Sequence, residues 1–374
     1  MYGLAGRLAS YFVDSKLTPI LIIVALALGS FAVITTPKEE EPQIVVPMID
    51  IFIQYPGATP EEVERRVVAP LEKKLWELKD IEYIYSASTE GKAVVTARFY
   101  VGTNPVKALV DLNTKMMSAL DLAPPGVVLP PLVKPKSIDD VPILTLTLWG
   151  PSYDGYDLRL LASTVENEIK KISNVADVFL VGGRPREIRI VLDPVRIQAY
   201  RISPIYIAQL VKGANLQSIS GSVTQNNKVY VIRTGEFLKS KGDVENLMVG
   251  VFNGKPVYLK DIATVVDGPS EIKDYVLMGF GPAEKKNSSL YPGVTIAVSK
   301  RTGTNAVDVA NEVLKLVDHL KGNLIPKDVN ITVTRNYGET AKEKADELLE
   351  HLFIATFSVT LLIAVALGIR EAAV

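Results

Sequence analysis

The sequence predicts an α+β fold with two transmembrane helices and two tandem ferredoxin-like units, each with the element order βαββαβ. Three observations lead to this prediction. Two uncharged, apolar stretches near the ends of the chain are long enough to cross a bilayer. Between them, one succession of strand and helix patterns occurs twice. The second copy is interrupted by a long segment with its own turn and strand patterns, which predicts an inserted α+β subdomain.

Composition limits the classes of function that the chain can have. It has 374 residues, a formal net charge of −1 and no cysteine. The near-neutral charge gives no reason to expect a nucleic-acid partner, and the lack of cysteine excludes disulfides, thiolate metal sites and a cysteine nucleophile. The two histidines, His319 and His351, have no Cys, His or carboxylate partner at ligand spacing. We therefore predict no metal site, no cofactor and no enzymatic activity.

The first apolar stretch, residues 17–34, has no charged side chain and a length of about 18 residues, which is close to what a bilayer requires. A cleaved signal peptide is the alternative, but its apolar core would normally be shorter, and no small-x-small cleavage site precedes the charged run at 37–41. We therefore predict an uncleaved transmembrane helix at 17–36. Arg7 and Lys16 precede it and three glutamates follow it, so the positive-inside rule predicts that the chain crosses outward.

The second apolar stretch, residues 352–369, is also uncharged and is followed by Arg370. A charged amphipathic pattern at 339–351 leads into it without a break, which predicts one helix over 338–370 that reaches and crosses the membrane. A buried soluble helix is the alternative, but the stretch has no polar face. Both ends of the chain are therefore predicted to be cytoplasmic. At the N-terminus, 1–16 is predicted to be a cytoplasmic or interfacial helix with apolar side chains along one face.

The first ferredoxin-like unit is predicted at residues 37–136. After a first strand at 45–54, Thr59 is a helix N-cap, and Glu62 completes a capping box with it. Pro70 lies inside the helix that follows and should kink it. A strand pair, a second helix and a last short strand complete the unit. They are assigned to 81–87, to 93–101, to a helix through Leu109, Leu112, Met116 and Leu120, and to 127–132.

The second unit repeats this order, but its third strand is missing from the expected place. We assign that strand to 294–300, because Gly303-Thr304-Asn305 follows it as Gly102-Thr103-Asn104 follows the third strand of the first unit. Chance recurrence would explain the tripeptide but not the strand before it and the helix after it. The unit therefore comprises residues 137–182 and 290–337, with strands at 141–149, 175–181, 294–300 and 329–334.

Residues 183–289 form the predicted insertion. A strand at 187–192 is followed by Ser203-Pro204, which starts a short helix. The polar segment 215–237 has the pattern of an extended hairpin, and Asn253-Gly254 is a tight-turn signal between two further strands. These patterns predict a separate α+β subdomain.

Taken together, these features resemble the N-terminal part of resistance-nodulation-division (RND) efflux transporters, and in particular those that export hydrophobic or amphiphilic compounds. The likeness covers essentially the whole chain and rests on the order and spacing of several short motifs. They are YPGATPEEVE at 55–64, PLE at 70–72, PPGV at 124–127, GTNA at 303–306, YGE at 337–339 and LGIR at 367–370.

The resemblance implies that the two units are porter subdomains and that the insertion is a docking subdomain. It implies a pump of the bacterial inner membrane that works by cation antiport, with the proton as the expected cation. The bulk of the chain would be periplasmic and both termini cytoplasmic. The implied partners are membrane lipid, an amphiphilic small-molecule substrate, two further copies in a homotrimer, a periplasmic adaptor and an outer-membrane channel.

The chain departs from the family pattern in two respects. Neither apolar stretch contains an ionisable residue, so the energy-coupling half of such a pump is expected to be absent from this chain. The hairpin at 215–237 is also short beside the trimer-locking arm of the family. Two alternatives stay open. One is a metal-exporting RND pump, for which Met116-Met117 offers soft ligands. The other is a two-helix periplasmic scaffold that transports nothing.

Strand alternation predicts a candidate substrate pathway in the second unit. In the strand at 141–149, Leu144, Leu146 and Leu148 share the face that should pack under the helices. The opposite face has no helix and must be covered or form the wall of a cleft, and its mixed character suits amphiphilic molecules. Burial against the first unit is an equally consistent alternative. The candidate residues on this face are Ile143, Thr145, Thr147, Phe179 and Val181.

Overall fold

Two long apolar helices frame the chain. In a computed structural model, which describes residues 15, 17–39, 44–284, 289–366, 368, 369 and 372, they are α1 (Thr18–Thr35) and α11 (Tyr337–Ala366). Both are long and apolar enough to cross a membrane, and nearly all of their apolar surface is exposed rather than packed in a core. The predicted N-terminal helix, apart from Ser15, and Arg370 lie outside the described residues.

The first unit is a four-stranded antiparallel sheet in the order β2–β3–β1–β4, with its helices on one side. Its core contains the alternating isoleucines of β1 together with Leu112 and Met116. Those isoleucines occur at every second position, so they all point to the helix side of the sheet. The elements are β1 (Met48–Gln54), α2 (Pro60–Val63), α3 (Ala69–Leu75), β2 (Ile81–Thr89), β3 (Lys92–Phe99), α4 (Pro105–Met117) and β4 (Leu132–Lys136).

The helix after β1 begins at a capping box and is interrupted by a π-helical segment. The Thr59 hydroxyl accepts from the Glu62 N–H, and the Glu62 carboxylate accepts from the Thr59 N–H, which lowers the pKa of Glu62. A π-helical segment, Glu64–Val68, separates α2 from α3, and the Ala69 N–H donates to the Glu64 carbonyl. Pro70 has no N–H to continue the α-helical ladder, which accounts for the predicted interruption at this point.

The first and last strands of the first unit differ most from prediction, whereas β2 (Ile81–Thr89) and β3 (Lys92–Phe99) lie within two residues of it. Strand β1 begins at Met48, not at residue 45. The last strand is Leu132–Lys136, not 127–132. Pro130 and Pro131 fall inside the predicted strand and cannot donate to a ladder, so pairing with β1 starts only after them. Pro135 is tolerated because β4 is an edge strand.

The second unit has the same strand order as the first. Strand β14 lies between β5 and β6, and β15 pairs with the other edge of β5, all antiparallel. Residues 293–298 of β14 pair with β5 and residues 295–300 pair with β6, so this distant segment lies in the same sheet as both strands. The elements are β5 (Leu144–Trp149), α5 (Gly155–Ile169), β6 (Val175–Val181), β14 (Tyr291–Lys300), α10 (Ala306–Leu320) and β15 (Asn330–Asn336).

A second core lies between this sheet and its two helices. Leu144, Leu146 and Leu148 are at most 1% exposed and pack with side chains of α5 and α10, as predicted. On β14, Val294, Ile296 and Val298 are each 0% exposed and belong to the same cluster. The core is therefore built from two stretches of the chain, 143–178 and 294–329, that the insertion separates.

The inserted segment has a third core of its own. A fully exposed hairpin, β8–β9, projects from it, and Asn253 and Gly254 adopt the positive φ angles that the tight turn between β10 and β11 requires. Strands β7 and β12 pair where the segment leaves and rejoins the second unit. The elements are β7 (Arg186–Leu192), α6 (Pro194–Tyr200), α7 (Pro204–Ala214), β8 (Ser218–Gln225), β9 (Lys228–Thr234), α8 (Lys241–Glu245), β10 (Met248–Phe252), β11 (Lys255–Tyr258), α9 (Leu259–Ile262), β12 (Ala263–Pro269) and β13 (Leu277–Met278).

Candidate substrate site

Four of the five predicted pathway residues lie together on the helix-free face of the second sheet. Antiparallel pairing aligns Phe179 with Ala297 and Ala297 with Thr145. In the neighbouring row on the same face, Val181 is aligned with Thr295, which is aligned with Thr147. Directly opposed residues point to the same side of a sheet. We call this surface the candidate face, and we define it by Thr145, Thr147, Phe179, Val181, Thr295 and Ala297.

Threonine hydroxyls on the candidate face bond to one another. The Thr147 Oγ1 lies 2.8 Å from the Thr295 Oγ1 and 3.3 Å from the Thr334 Oγ1 of β15. The Thr145 Oγ1 lies 2.9 Å from the same Thr334 Oγ1. Thr147 is only 3% exposed, so its hydroxyl is satisfied inside this network. The threonines therefore contribute methyl groups and internally paired hydroxyls.

An aromatic group borders one end of the candidate face. The Trp149 ring lies 5.0 Å from the Tyr291 ring and 5.1 Å, edge-on, from the Phe280 ring. The indole N–H of Trp149 donates to the hydroxyl of Thr332 at 2.9 Å, and the pairing of β15 with β5 aligns Thr332 with Thr147. Sequence reasoning missed these residues. Strand alternation could have found Trp149, two positions after Thr147, but Phe280 carries no such signal.

The other end of the candidate face is bounded by a turn between the two units. This turn, Ile138–Asp140, is a short 3₁₀ segment that Ser137 caps. Ser299 on β14 is 1% exposed, and its hydroxyl donates to the Asp140 carbonyl at 2.9 Å. The candidate face, whose exposed side chains are Phe179 and Val181, therefore lies between a polar turn and an aromatic group.

The exposure of the predicted residues separates them into two sets. Phe179 and Val181 keep 40% and 44% of their surface exposed, so the first unit does not bury them in this chain. Ile143 precedes β5, is 6% exposed and belongs to the buried core cluster. Its N–H donates to the Val298 carbonyl and its carbonyl accepts from the Tyr337 N–H, each at 2.8 Å. Ile143 therefore does not contribute to the candidate face, which corrects the prediction for this residue.

An apolar cavity of about 470 Å³ lies where the two long helices leave the apolar zone. Val33 of α1 and Thr36, directly after α1, line one side, and Leu348 and Leu349 of α11 line the other, while Lys38, Glu39 and Lys344 give it a charged edge. The Lys38 ammonium and the Asp346 carboxylate form an ion pair of 3.0 Å beside it. This cavity therefore lies between the two membrane-length helices.

The two methionines of the pair lie in different environments. Met116 is 3% exposed in the core of the first unit, whereas Met117 is 50% exposed on the outside of α4. Their sulfurs therefore face different environments. Within the part of the chain that the structure describes, no group of three His, Cys, Asp or Glu side chains could hold a metal ion.

Comparison with known proteins agrees with the resemblance in the motifs. Residues 8–374 match the family described as the AcrB/AcrD/AcrF family. The chain is 25% identical over 354 residues to a protein described as multidrug resistance protein MdtC of Pectobacterium carotovorum subsp. carotovorum (strain PC1). The alignment covers 94% of this chain and 33% of that protein, so the chain spans about a third of the length of the curated relative it matches.

Proposed function

The chain belongs to the AcrB/AcrD/AcrF family of RND transporters of the inner membrane, and we propose that it forms part of an efflux pump for hydrophobic or amphiphilic compounds. The observation that carries the proposal is the candidate face, where the exposed side chains of Phe179 and Val181 lie beside a row of threonines and aromatic rings border one end. Such surfaces suit amphiphilic molecules, which have both apolar and polar parts. The name of the relative, which refers to multidrug resistance, supports the same substrate class.

The two sheet units would serve as ferredoxin-like porter subdomains, 37–136 and 137–182 with 290–337. Their shared strand order supports this assignment because it is the order that a βαββαβ unit gives when its helices cover one side. The candidate face would then be the wall along which substrate moves. The cavity between α1 and α11 would give amphiphiles a route from the lipid, since apolar side chains from both helices line it.

The inserted segment, 183–289, would act as the docking subdomain of a homotrimer. Its β8–β9 hairpin supports this role because Ile219, Val229 and Ile232 are each at least 50% exposed there. Exposed apolar side chains on a projecting strand pair are typical of protein–protein contacts. A periplasmic adaptor and an outer-membrane channel would complete the assembly, with the bulk of this chain in the periplasm and both termini in the cytoplasm.

Energy would come from proton or other cation antiport through parts of the pump other than the two helices of this chain. The helix Thr18–Thr35 and the apolar part of α11 contain no acidic or basic side chain. A coupling site within a membrane normally needs an ionisable group. Metal export is not favoured, because Met116 is buried in the first core and Met117 is not.

The lack of cysteine permits a direct test of the candidate face. A Phe179→Cys variant of the chain in lipid nanodiscs should react with a water-soluble thiol reagent, and an amphiphilic dye should slow that reaction. At a dye concentration about ten times its Kd, the reaction should slow roughly tenfold, because only the unoccupied fraction reacts. The matched control is Leu160→Cys, on the exposed side of α5 in the same unit, where Leu160 is 44% exposed.

Equal protection of both cysteines would indicate nonspecific partitioning of the dye, and no protection of either would show that the face does not bind it. Either result would contradict the proposal. In a complete pump that carries this chain, Phe179→Ala should narrow the range of exported dyes at unchanged expression, whereas Leu160→Ala should not.

A further inference from the structure

One buried position carries an aromatic ring in the first unit and a charged side chain in the second. Lys300 is the last residue of β14 and stands three residues before Gly303, as Phe99 is the last residue of β3 and stands three residues before Gly102. Phe99 is 1% exposed and packs in the first core. Lys300 is also buried, with 6% of its surface exposed. The second unit therefore buries a charged side chain at a position where the first unit buries an aromatic ring.

The buried ammonium of Lys300 is held by carboxylates from two separate segments. Its Nζ lies 2.9 Å from Glu39 Oε1 and 3.4 Å from Asp139 Oδ1. The Thr302 hydroxyl donates to the second oxygen of Asp139 at 2.7 Å. The three charged side chains are 8%, 18% and 12% exposed. Separating charges at this depth would leave each one desolvated and unpaired, which is far more costly than breaking a surface pair.

These contacts join three segments that are far apart in the sequence. Glu39 belongs to the segment that follows α1, Asp139 belongs to the turn between the units, and Lys300 ends the strand that carries Thr295 and Ala297. The segment after α1 is fixed at a second point, where the Lys38 carbonyl accepts from the Ala306 N–H at 3.4 Å. The Lys38 side chain pairs with Asp346 of α11 at 3.0 Å. Through Lys38 and Glu39, hydrogen bonds and ion pairs therefore connect the C-terminal end of α1 and the N-terminal half of α11 to the end of β14.

We propose that Lys300 is a positioning residue that couples the two membrane-length helices to the candidate face. Lys300 and Ala297 are separated by three residues of one strand, or roughly 10 Å at the rise of an extended chain. Residues 295–298 pair with both β5 and β6, and Lys300 pairs with Val175 of β6 after an irregularity in the ladder, so β14 is held along its length. A displacement of the segment after α1 would therefore shift β14, and with it the row of Ala297, Phe179 and Thr145, relative to the turn that bounds the face. That the candidate face binds substrate rests on the proposed function, but the coupling of this face to the helices does not.

The coupling can be measured on the chain alone. Spin labels at Thr36→Cys, at the end of α1, and at Asn311→Cys, on the exposed side of α10, report the distance between the first helix and the second unit in nanodiscs. With Lys300 present, we expect one narrow distance distribution. Lys300→Met should broaden or split it. Lys300→Arg should keep it narrow, since a guanidinium can bridge the same carboxylates. Lys171→Met is the control, because Lys171 pairs with Glu168 at 2.6 Å on the exposed surface of the same unit.

A second label pair separates coupling from folding. Labels at Thr164→Cys on α5 and Asn311→Cys on α10 lie within the second unit, and Lys300→Met should leave their distance unchanged. Lys300→Phe, which gives the second unit the residue of the first, should also keep this distance and lose the coupling. An unchanged Thr36 to Asn311 distribution in Lys300→Met would overturn the proposal, and so would a change in the distance within the unit.

The two proposals fail in different ways. If the dye does not protect Phe179→Cys, the proposed function fails while the distance measurements still decide the coupling. If the distances do not respond to Lys300 while the dye still protects Phe179→Cys, the coupling fails and the substrate face stands.

Discussion

Replacing Ile296 with alanine should destabilise the second unit specifically. Ile296 is 0% exposed at the centre of β14, between Leu146 on β5 and Leu180 on β6. The substitution removes three carbon atoms, or about 2.4 kcal/mol at 0.8 kcal/mol for each buried methylene. The cavity left in a tightly packed core adds to this, so the free energy of unfolding of the unit should fall by about 2–5 kcal/mol.

Hydrogen exchange measured by mass spectrometry can localise the effect. This matters because the described residues form three separate cores, which need not unfold in one step. Where exchange requires opening of the unit, a loss of 2–5 kcal/mol corresponds to roughly 30-fold to several-thousand-fold faster exchange. We expect this in β5, β6 and β14. The control Ile205→Ala removes the same atoms from a side chain that is 71% exposed in the insertion, and it should change exchange little.

The pattern of exchange decides whether the reasoning about the divided unit is right. Faster exchange confined to β14 and the inserted segment, with β5 and β6 unaffected, would refute it. That pattern would mean that residues 294–300 are stabilised by the insertion rather than by the sheet into which the repeated sequence places them.

Two further predictions concern charge and topology. Hydrogen bonds from Lys115, which has the larger effect, and from Lys74 lower the pKa of Glu77 to about 2 from its ordinary 4.5. A lowered pKa in the folded state means that this contact stabilises fully above pH 4.5 and is lost as the pH falls towards 2. The stability difference between the wild type and Glu77→Gln should therefore shrink over that range, and a constant difference in acid titrations would contradict it. In intact cells, Ser218→Cys should react with an impermeant thiol reagent and Ser10→Cys should not; labelling of Ser10→Cys from outside would refute the two-span topology.

The sequence was sufficient for the parts of the fold that periodicity determines. A strand of alternating apolar residues followed by Gly303-Thr304-Asn305 identified β14, although its partners in the sheet are far away in the chain. The same alternation placed Thr145, Thr147, Phe179 and Val181 on one face because the side-chain period of a strand is two. These assignments depend on local geometry, which the sequence encodes directly.

The errors arise where a neighbour in space overrides the local pattern. Ile143 has the right parity for the candidate face, but it precedes the ladder of β5, and its backbone bonds to Val298 and Tyr337 hold it in the core. The strand predicted at 127–132 failed because prolines cannot donate to a ladder. Phe280 meets Trp149 only after the chain has passed through the whole insertion. In the sequence, Lys300 is a polar residue at the end of a strand. Its two partners, Glu39 and Asp139, are distant in the chain and become its neighbours only in the folded structure.

The threonine network also affects how selective the candidate face can be. Ligands are rejected strongly when they leave a hydrogen-bonding group of the protein unsatisfied, whereas a missing methylene changes affinity by only about 1–3 kcal/mol. Thr145, Thr147 and Thr334 already satisfy one another, so an arriving molecule neither completes nor breaks an obligatory bond with them. Compounds that differ in polar substituents but match in shape should therefore bind this surface with similar affinity, and each should leave it without giving up a strong directional contact.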